Sequence, residues 1–199
     1  MKKKQKILIG THNKGKFKEL GSLLSNKLKK ISPRSLKIKS PKETGKTFLA
    51  NSKIKANYFY KKSKLISISD DSGLSIKCLN GMPGIYSARW AKKHGSFHKA
   101  MGKIIKKVKL KYKKEKNTDA YFTCCLSIKL NEKKIFSVTG IVKGNISNKI
   151  LGKKGFGYDP IFIPKGYNQT FGQMNKRKKM LIDHRYIAFN KLKKIIKIL

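Results

Sequence analysis

Near the N-terminus, a loop bracketed by two glycines separates a run of apolar residues from a helical pattern. Residues 6–10 suit a buried strand, and residues 17–28 carry apolar side chains at helical spacing. The loop matches G-x-x-x-x-G-K, the first part of a P-loop, but Phe17 stands where a P-loop needs Ser or Thr to hold magnesium. This argues against a nucleotide switch or motor. Backbone N–H groups at the helix start, with Lys14 and Lys16 beside them, still indicate an anion site; the alternative is an ordinary basic loop.

Asp70 and Asp71 are adjacent in a chain that has only nine acidic residues. They follow residues 65–68, an apolar run of strand length, and precede Ser72 and Gly73, so the sequence predicts that a buried strand ends here in a turn. Successive side chains of an extended backbone point to opposite faces, and we therefore expect only one of the two carboxylates to be a direct metal ligand or base. The alternative is a solvated acidic turn.

The charge of the chain is strongly basic, with 50 Lys and Arg against nine Asp and Glu and a formal net charge of +41. Such a charge favours polyanionic partners. Only four of the basic residues are arginine, the side chain that proteins use most to read bases and phosphates. We therefore expect non-specific, salt-sensitive polyanion binding and no specific nucleic-acid partner.

Composition also indicates where the protein works. The three cysteines are odd in number and lack C-x-x-C spacing, which fits a reducing cytoplasm. The first apolar run is too short for a signal peptide, and no segment approaches transmembrane length, so we expect no membrane association. With no repeat and no long linker, residues 1–199 are expected to form a single domain.

Other patterns complete the expected element list. They predict a strand over residues 31–39 interrupted near Pro33, and a hairpin of residues 120–130 and 134–142. They also predict three helices: one from the N-cap Thr47 to about Tyr60, an amphipathic one over residues 96–112, and a last one that begins at His184. Glu43 lies just ahead of the second helix. It is either a metal ligand or a carboxylate that favours the positive end of that helix.

A glycine-rich loop over residues 152–160 contains two aromatic residues and one acid. Its glycine spacing differs from that of a dinucleotide fingerprint. Glycines beside an exposed aromatic side chain allow a flat base to approach and stack, whereas the alternative is a tight turn with core aromatics.

Six motifs together resemble the inosine/xanthosine triphosphate pyrophosphatases, which clear non-standard purine nucleotides, and the likeness covers nearly the whole chain. The motifs are Thr11-His12-Asn13-Lys14-Gly15-Lys16 with Glu19, Glu43-x-Gly45-x-Thr47-Phe48-x-x-Asn51, Asp70-Asp71-Ser72-Gly73-Leu74, Pro83-Gly84-Ile85-Tyr86-Ser87-Ala88-Arg89, Gly155-Phe156-Gly157-Tyr158-Asp159-Pro160 and His184-Arg185. Each is modest evidence, but six in order at fitting separations are specific. The chain departs from the family pattern at Gln173, Met180 and Asp183.

The resemblance implies an α/β fold with a mixed central sheet flanked by helices, and two lobes with the active-site cleft between them. It also implies a homodimer that uses Mg²⁺ to hydrolyse ITP, dITP and XTP to the monophosphate and pyrophosphate. Asp71 would be the proton acceptor with Asp70 beside it, and Glu43 and Asp71 would hold the metal. The substrate would be bound by Thr11, His12, Asn13, Lys14, Gly15, Lys16, Ser72, Phe156, Gly157, Tyr158, Asp159, Lys179, His184 and Arg185.

Two other readings stay open at this point. One is a nucleotide pyrophosphatase with a shifted base preference, since the departures lie around the residues that the resemblance assigns to the base. The other is a basic protein that binds nucleotides or nucleic acid without catalysis.

Overall fold

The computed structural model describes residues 4–115 and 117–196, and a six-stranded mixed sheet is its main feature. The strands are β1 (Lys6–Ile9), β2 (Lys29–Ile31), β3 (Ile66–Ile76), β4 (Asp119–Lys129), β5 (Ile135–Ile146) and β6 (Phe162–Pro164). Their order in the sheet is β2-β1-β3-β4-β5-β6. β1 pairs in parallel with β2 and β3, whereas β5 and β6 are antiparallel. The predicted α/β class with a mixed central sheet is confirmed.

Six helices accompany these strands in the described part of the chain. They are α1 (Lys14–Leu23), α2 (Phe48–Ser63), α3 (Ser87–Lys93), α4 (Phe97–Glu115), α5 (Lys176–Ile182) and α6 (His184–Ile195). Within residues 4–115 and 117–196, none is long and apolar enough to cross a membrane.

The chain divides into two compact units, and each is described by itself. Unit 1 comprises residues 1–71, 124–140 and 185–199, and unit 2 comprises residues 72–123 and 141–184. The core of unit 1 joins strand residues such as Ile9, Ile68 and Leu126 to Leu20 of α1 and Leu192 of α6. All five side chains are at most 2% exposed, so apolar burial supplies the main stabilisation of this unit.

In unit 2, helix α4 buries one stripe of its surface. Met101, Ile104 and Val108 are buried at the i, i+3, i+7 spacing of the predicted apolar stripe, while the lysines between them are exposed. Phe122 on β4 packs with Phe162 on β6 at a centroid distance of 4.6 Å. Phe97 at the start of α4 packs edge-on against Tyr158 of the glycine-rich loop at a centroid distance of 5.1 Å.

The predicted strand end at Asp70 and Asp71 is wrong. β3 continues through both residues and through Ser72 and Gly73 to Ile76, and the chain turns only at Asn80 and Gly81, which have positive φ. The prediction rested on Ser72 and Gly73 as a turn signal, but both residues lie within the strand, and the two carboxylates before them are buried in it. Their burial is possible because each carboxylate is ion-paired.

Two other element predictions are partly wrong. α1 begins at Lys14 and not at Phe17, because the Asn13 side chain caps the helix by accepting a hydrogen bond from the Lys16 N–H. It ends at Leu23, ahead of the predicted residue 28. The strand expected over residues 31–39 is confined to β2, and a short 3₁₀ turn over Arg34–Leu36 follows Pro33.

Two predicted features are confirmed in detail. Thr47 caps α2 by accepting a hydrogen bond from the Ala50 N–H at 3.0 Å. β4 and β5 form the expected hairpin: the Leu130 N–H donates to the Lys134 carbonyl, and the Ser127 and Ser137 hydroxyls meet at 2.8 Å.

Candidate active site

In unit 1, the carboxylates of Glu43 and Asp71 converge on one ammonium group. The Lys55 Nζ lies 2.8 Å from Glu43 Oε1 and 3.1 Å from Asp71 Oδ1. The Lys55 and Asp71 side chains are only 10% and 7% exposed, whereas Glu43 is one-third exposed. Two acidic groups from distant parts of the chain are thus held around one position for a cation.

The second oxygen of Asp71 is also engaged. Asn51 Nδ2 donates to Asp71 Oδ2 at 3.2 Å, and Asn51 Oδ1 accepts from the Gly45 N–H at 2.8 Å. Asn51 and Lys55 are four residues apart on α2, so they project from the same face of the helix. One turn of α2 therefore orients the whole Asp71 carboxylate.

Burial and charge act against each other in this cluster. Burial is the strongest influence on Asp71 and raises its pKa, although the charges of Lys55 and Lys16 oppose the shift. For Lys55, burial favours the neutral amine, but Asp71, Asp70 and Glu43 outweigh it and raise the pKa of the ammonium. Lys55 is therefore charged at neutral pH, and Asp71 has a greater proton affinity than an ordinary carboxylate.

Asp70 points to the opposite face of β3 and belongs to a different network. Its Oδ2 lies 3.1 Å from Lys16 Nζ and 2.9 Å from Arg185 Nη2. Arg185 also donates through Nη1 to Glu19. Burial opposes ionisation of Asp70, but the charges of Lys16, Arg185 and Lys55 outweigh it and hold its pKa well below the usual range.

The opposite directions of the two aspartates agree with the expectation from strand geometry. Asp70 is 1% exposed and surrounded by fixed cations, so it is a permanent anion. Asp71 is the carboxylate with raised proton affinity. That Asp71 alone acts as base or metal ligand stays a prediction.

The loop before α1 is shaped by a close approach at Gly10. A Cβ atom there would lie 2.1 Å from Ser69 Oγ and 2.4 Å from the Phe59 ring, so only glycine fits. Thr11 accepts from the Asn13 N–H, and His12 Nδ1 lies 2.8 Å from Ser40 Oγ. The loop is thus held in shape from both sides, and its basic end continues into the first turn of α1, at Lys14, Gly15 and Lys16.

In unit 2, the glycine-rich loop is organised by Asp159. This carboxylate accepts from the Phe156 N–H at 2.8 Å and pairs with Lys179 Nζ at 3.0 Å. The same ammonium lies 5.2 Å from the centroid of the Phe156 ring. Gly157 has a φ of +67°, which favours glycine at this turn. An aromatic ring, an ammonium and a carboxylate therefore lie together.

The other predicted residues of unit 2 differ in burial. Tyr158 is 3% exposed and donates its hydroxyl to the Ser87 carbonyl, and burial raises the pKa of the phenol. His184 stacks on Phe122 at 4.8 Å and 9°. Ser72 continues β3 and is half-buried. Gln173 accepts from the Thr170 N–H, so this departure from the family pattern has a local structural role.

Comparison with known proteins identifies the fold and the family. A profile of the Ham1 family matches residues 7–195. The chain belongs to the Ham1 family. The dITP/XTP pyrophosphatases of Zymomonas mobilis and Caulobacter vibrioides are 37% and 38% identical to this Ham1-family chain, each over 94% of it and over 90% and 96% of their own length.

Solved structures of Ham1 proteins share the fold of this chain. A HAM1 protein from Coxiella burnetii superposes with a TM-score of 0.87 at 30% identity, covering 97% of this chain and 98% of its own. The Ham1 protein of Staphylococcus aureus gives 0.84 at 31% identity, with the same coverage. The resemblance drawn from the six motifs is therefore confirmed at the level of family and fold.

The residues of unit 1 suit a hard divalent cation. Glu43 and Asp71 present carboxylate oxygens that converge on a cationic group, and Mg²⁺ is commonly bound by one or two carboxylates together with water and substrate phosphates. Residues 4–115 and 117–196 contain no cluster of three or more His, Cys, Asp or Glu suited to a metal. The expected pair of carboxylates has the chemistry of the donors that Mg²⁺ takes.

Two residues that contact Asp71 were missed by the site predictions from sequence, Lys55 and Asn51. Asn51 stands in one of the six motifs without an assigned role, and Lys55 stands in none of them. The most buried face of α2 runs through Asn51, Lys55 and Phe59. A buried lysine at i+4 from a buried asparagine was the available signal. It requires knowing which face is covered, and the sequence pattern alone did not settle that.

Proposed function

We propose that this protein hydrolyses the noncanonical purine nucleoside triphosphates ITP, dITP and XTP between the α and β phosphates, releasing the monophosphate and pyrophosphate. The observation that carries the proposal is the convergence of Glu43 and Asp71 on a single cationic position. The names of its relatives, dITP/XTP pyrophosphatases, supply the substrate class.

The residues of unit 1 would act on the triphosphate. The loop residues Thr11, His12 and Asn13 and the helix-start residues Lys14, Gly15 and Lys16 would bind its phosphates through backbone N–H groups and ammonium charge. Glu43 and Asp71 would hold Mg²⁺, which when bound supplies charge neutralisation at the phosphates. Asp70, kept ionised, would hold Lys16 and Arg185 in place.

Asp71 would accept the proton of the attacking water. Its raised pKa makes it a stronger base than an ordinary aspartate, and the Lys55 ammonium 3.1 Å away favours its ionised form. Lys55 would also offset the negative charge that accumulates as water approaches a phosphorus shielded by anionic oxygens.

The residues of unit 2 would select the base. Phe156 would stack on it, and Gly157, Tyr158 and Asp159 would shape the loop, with Ser72 contacting substrate. Lys179 and His184 would supply donors for the 6-keto oxygen of hypoxanthine or xanthine. Adenine presents an amino group there, and leaving buried donors unpaired costs roughly 1–3 kcal/mol per group.

Three further features belong to the same proposal. Magnesium is the divalent metal, the protein works as a homodimer, and it is cytoplasmic. The last point is supported by Cys78, Cys124 and Cys125, which are free and buried.

Pyrophosphate release from ITP, XTP, GTP and ATP, with and without Mg²⁺, tests this proposal. We expect Mg²⁺-dependent release from ITP and XTP, and loss of that release in Asp71→Ala. Release mainly from GTP or ATP would indicate a shifted base preference. No release from any of the four would refute catalysis and leave a nucleotide-binding or polyanion-binding protein.

A further inference from the structure

We propose that Asn51 is a positioning residue that fixes the distance between the two metal-binding carboxylates. The inference rests on the proposed function, because it assigns a role to a side chain behind the residues that would meet the metal. Asn51 is fully buried and contacts both sides of the cluster, the Asp71 carboxylate and the backbone next to Glu43.

The two hydrogen bonds require an amide side chain. The Gly45 N–H can only donate, so it takes the amide oxygen, and the Asp71 carboxylate accepts from the amide nitrogen. Aspartate lacks the donor, leucine lacks both groups, and glutamine is one methylene longer. Asparagine therefore matches the chemistry and the length of the site together.

The segment that carries Glu43 depends on this contact. Residues 38–45 form neither helix nor strand, and Glu43 is one-third exposed, so its position relies on local attachments. The bond from the Gly45 N–H to Asn51 lies two residues after Glu43. At Gly45 a Cβ atom would lie 2.7 Å from Asn51 Oδ1, which shows how tightly the two residues pack.

Helix α2 thus holds a segment that has no regular secondary structure of its own. Asn51 and Lys55 are both on α2, and together they engage Asp71 Oδ2, Asp71 Oδ1 and the Glu43 segment. Groups that hydrogen-bond metal ligands in this way commonly affect metal affinity or activity by about 10–100-fold.

The test compares Asn51→Ala, Asn51→Asp and the control Ser52→Ala in the full-length protein. Ser52 is the next residue of α2, equally buried and hydrogen-bonded to Ser127, but none of its hydrogen bonds involves the carboxylate cluster. Two readouts are used: ITP hydrolysis with Mg²⁺, and amide hydrogen exchange at Gly45 in the protein without metal or nucleotide.

We expect Asn51→Ala to lower kcat by about 10–100-fold with KM for ITP nearly unchanged, and to speed Gly45 exchange by roughly tenfold. Asn51→Asp keeps the acceptor for Gly45 and loses the donor to Asp71, so kcat should fall while Gly45 stays protected. Ser52→Ala should retain wild-type values for both.

A second variant tests the same contact at the loop residue Gly45, so its result does not depend on replacing a buried side chain of α2. A Cβ atom at Gly45 would press against Asn51 Oδ1 and Ala50, so Gly45→Ala separates the loop from Asn51 without changing the Asn51 side chain itself. We expect it to lower kcat in the same range. The proposal is overturned if Asn51→Ala and Gly45→Ala keep the kcat of Ser52→Ala. If the wild type hydrolyses nothing, the proposed function fails. Unchanged amide exchange at Gly45 in Asn51→Ala would separately overturn the proposal that Asn51 holds the segment that carries Glu43.

Discussion

The ammonium of Lys55 separates two carboxylates, and removing its charge should destabilise the protein by a predictable amount. In Lys55→Met the side chain keeps its length but loses the charge. Because Glu43 Oε1 and Asp71 Oδ1 each lie within about 3 Å of Lys55 Nζ, they are at most about 6 Å apart. Two unit charges at that distance repel by about 3 kcal/mol at an effective dielectric constant of about 20.

The burial of Lys55 and Asp71 and the partial exposure of Glu43 also affect the expected loss of stability. Breaking a buried pair by removing one partner costs about 3–5 kcal/mol, and the exposure of Glu43 places this case at the lower end. We therefore expect the free energy of unfolding to fall by about 3 kcal/mol at neutral pH. Urea unfolding followed by circular dichroism, with EDTA present, measures it.

The pH dependence of the loss has a defined sign. Without the ammonium, repulsion raises the folded-state pKa of the carboxylate pair above the unfolded value, so the deficit is present at high pH and shrinks as pH falls through that pKa. We expect a larger loss at pH 8 than at pH 5. Mg²⁺ should stabilise Lys55→Met more than the wild type, because the two carboxylates then lack their resident cation.

The control is a lysine whose ion pair is exposed. Lys64 lies 3.7 Å from Glu132, and the two side chains are 74% and 63% exposed. Lys64→Met should change stability by less than about 0.5 kcal/mol. A loss below about 1 kcal/mol in Lys55→Met, equal at both pH values, would refute the reasoning that the two carboxylates are held apart by this charge.

Two other predictions concern charge. The pKa of Asp70 is depressed in the folded protein, so its contribution to stability is present above its unfolded-state pKa of about 3.9 and is lost as the pH falls below that value. In urea unfolding, Asp70→Asn should therefore lose less stability than the wild type between pH 4 and pH 2. Parallel curves would contradict this. The excess of lysine should give oligonucleotide binding that weakens linearly in log K against log salt, with the same slope for unrelated sequences. A strong preference for one sequence in fluorescence anisotropy would argue against purely electrostatic binding.

Much of the fold was predictable because its signals are local. The cap at Thr47, the apolar stripe of α4 and the β4–β5 hairpin each depend on neighbours within a few residues or on one turn. The start of α1 was missed because one hydrogen bond, which the Asn13 side chain accepts from the Lys16 N–H, decides where the helix begins.

The candidate site was less predictable because it depends on contacts between distant residues. The pair Asp70-Asp71 was noticed for its rarity, but its position inside β3 depends on cations that lie 54, 16 and 115 residues away, at Lys16, Lys55 and Arg185. Their presence nearby converts what would be a costly burial of charge into a paired network.

The sequence by itself determined the residue types available for chemistry, their order along the chain and the opposite directions of two adjacent carboxylates, since these follow from composition and backbone periodicity. Only the tertiary structure decided which of them meet. It placed Glu43 and Asp71 on the same ammonium and made Asn51 contact both sides of that cluster. The physical reason is that burial and ion pairing depend on distances in space, which a one-dimensional pattern does not specify.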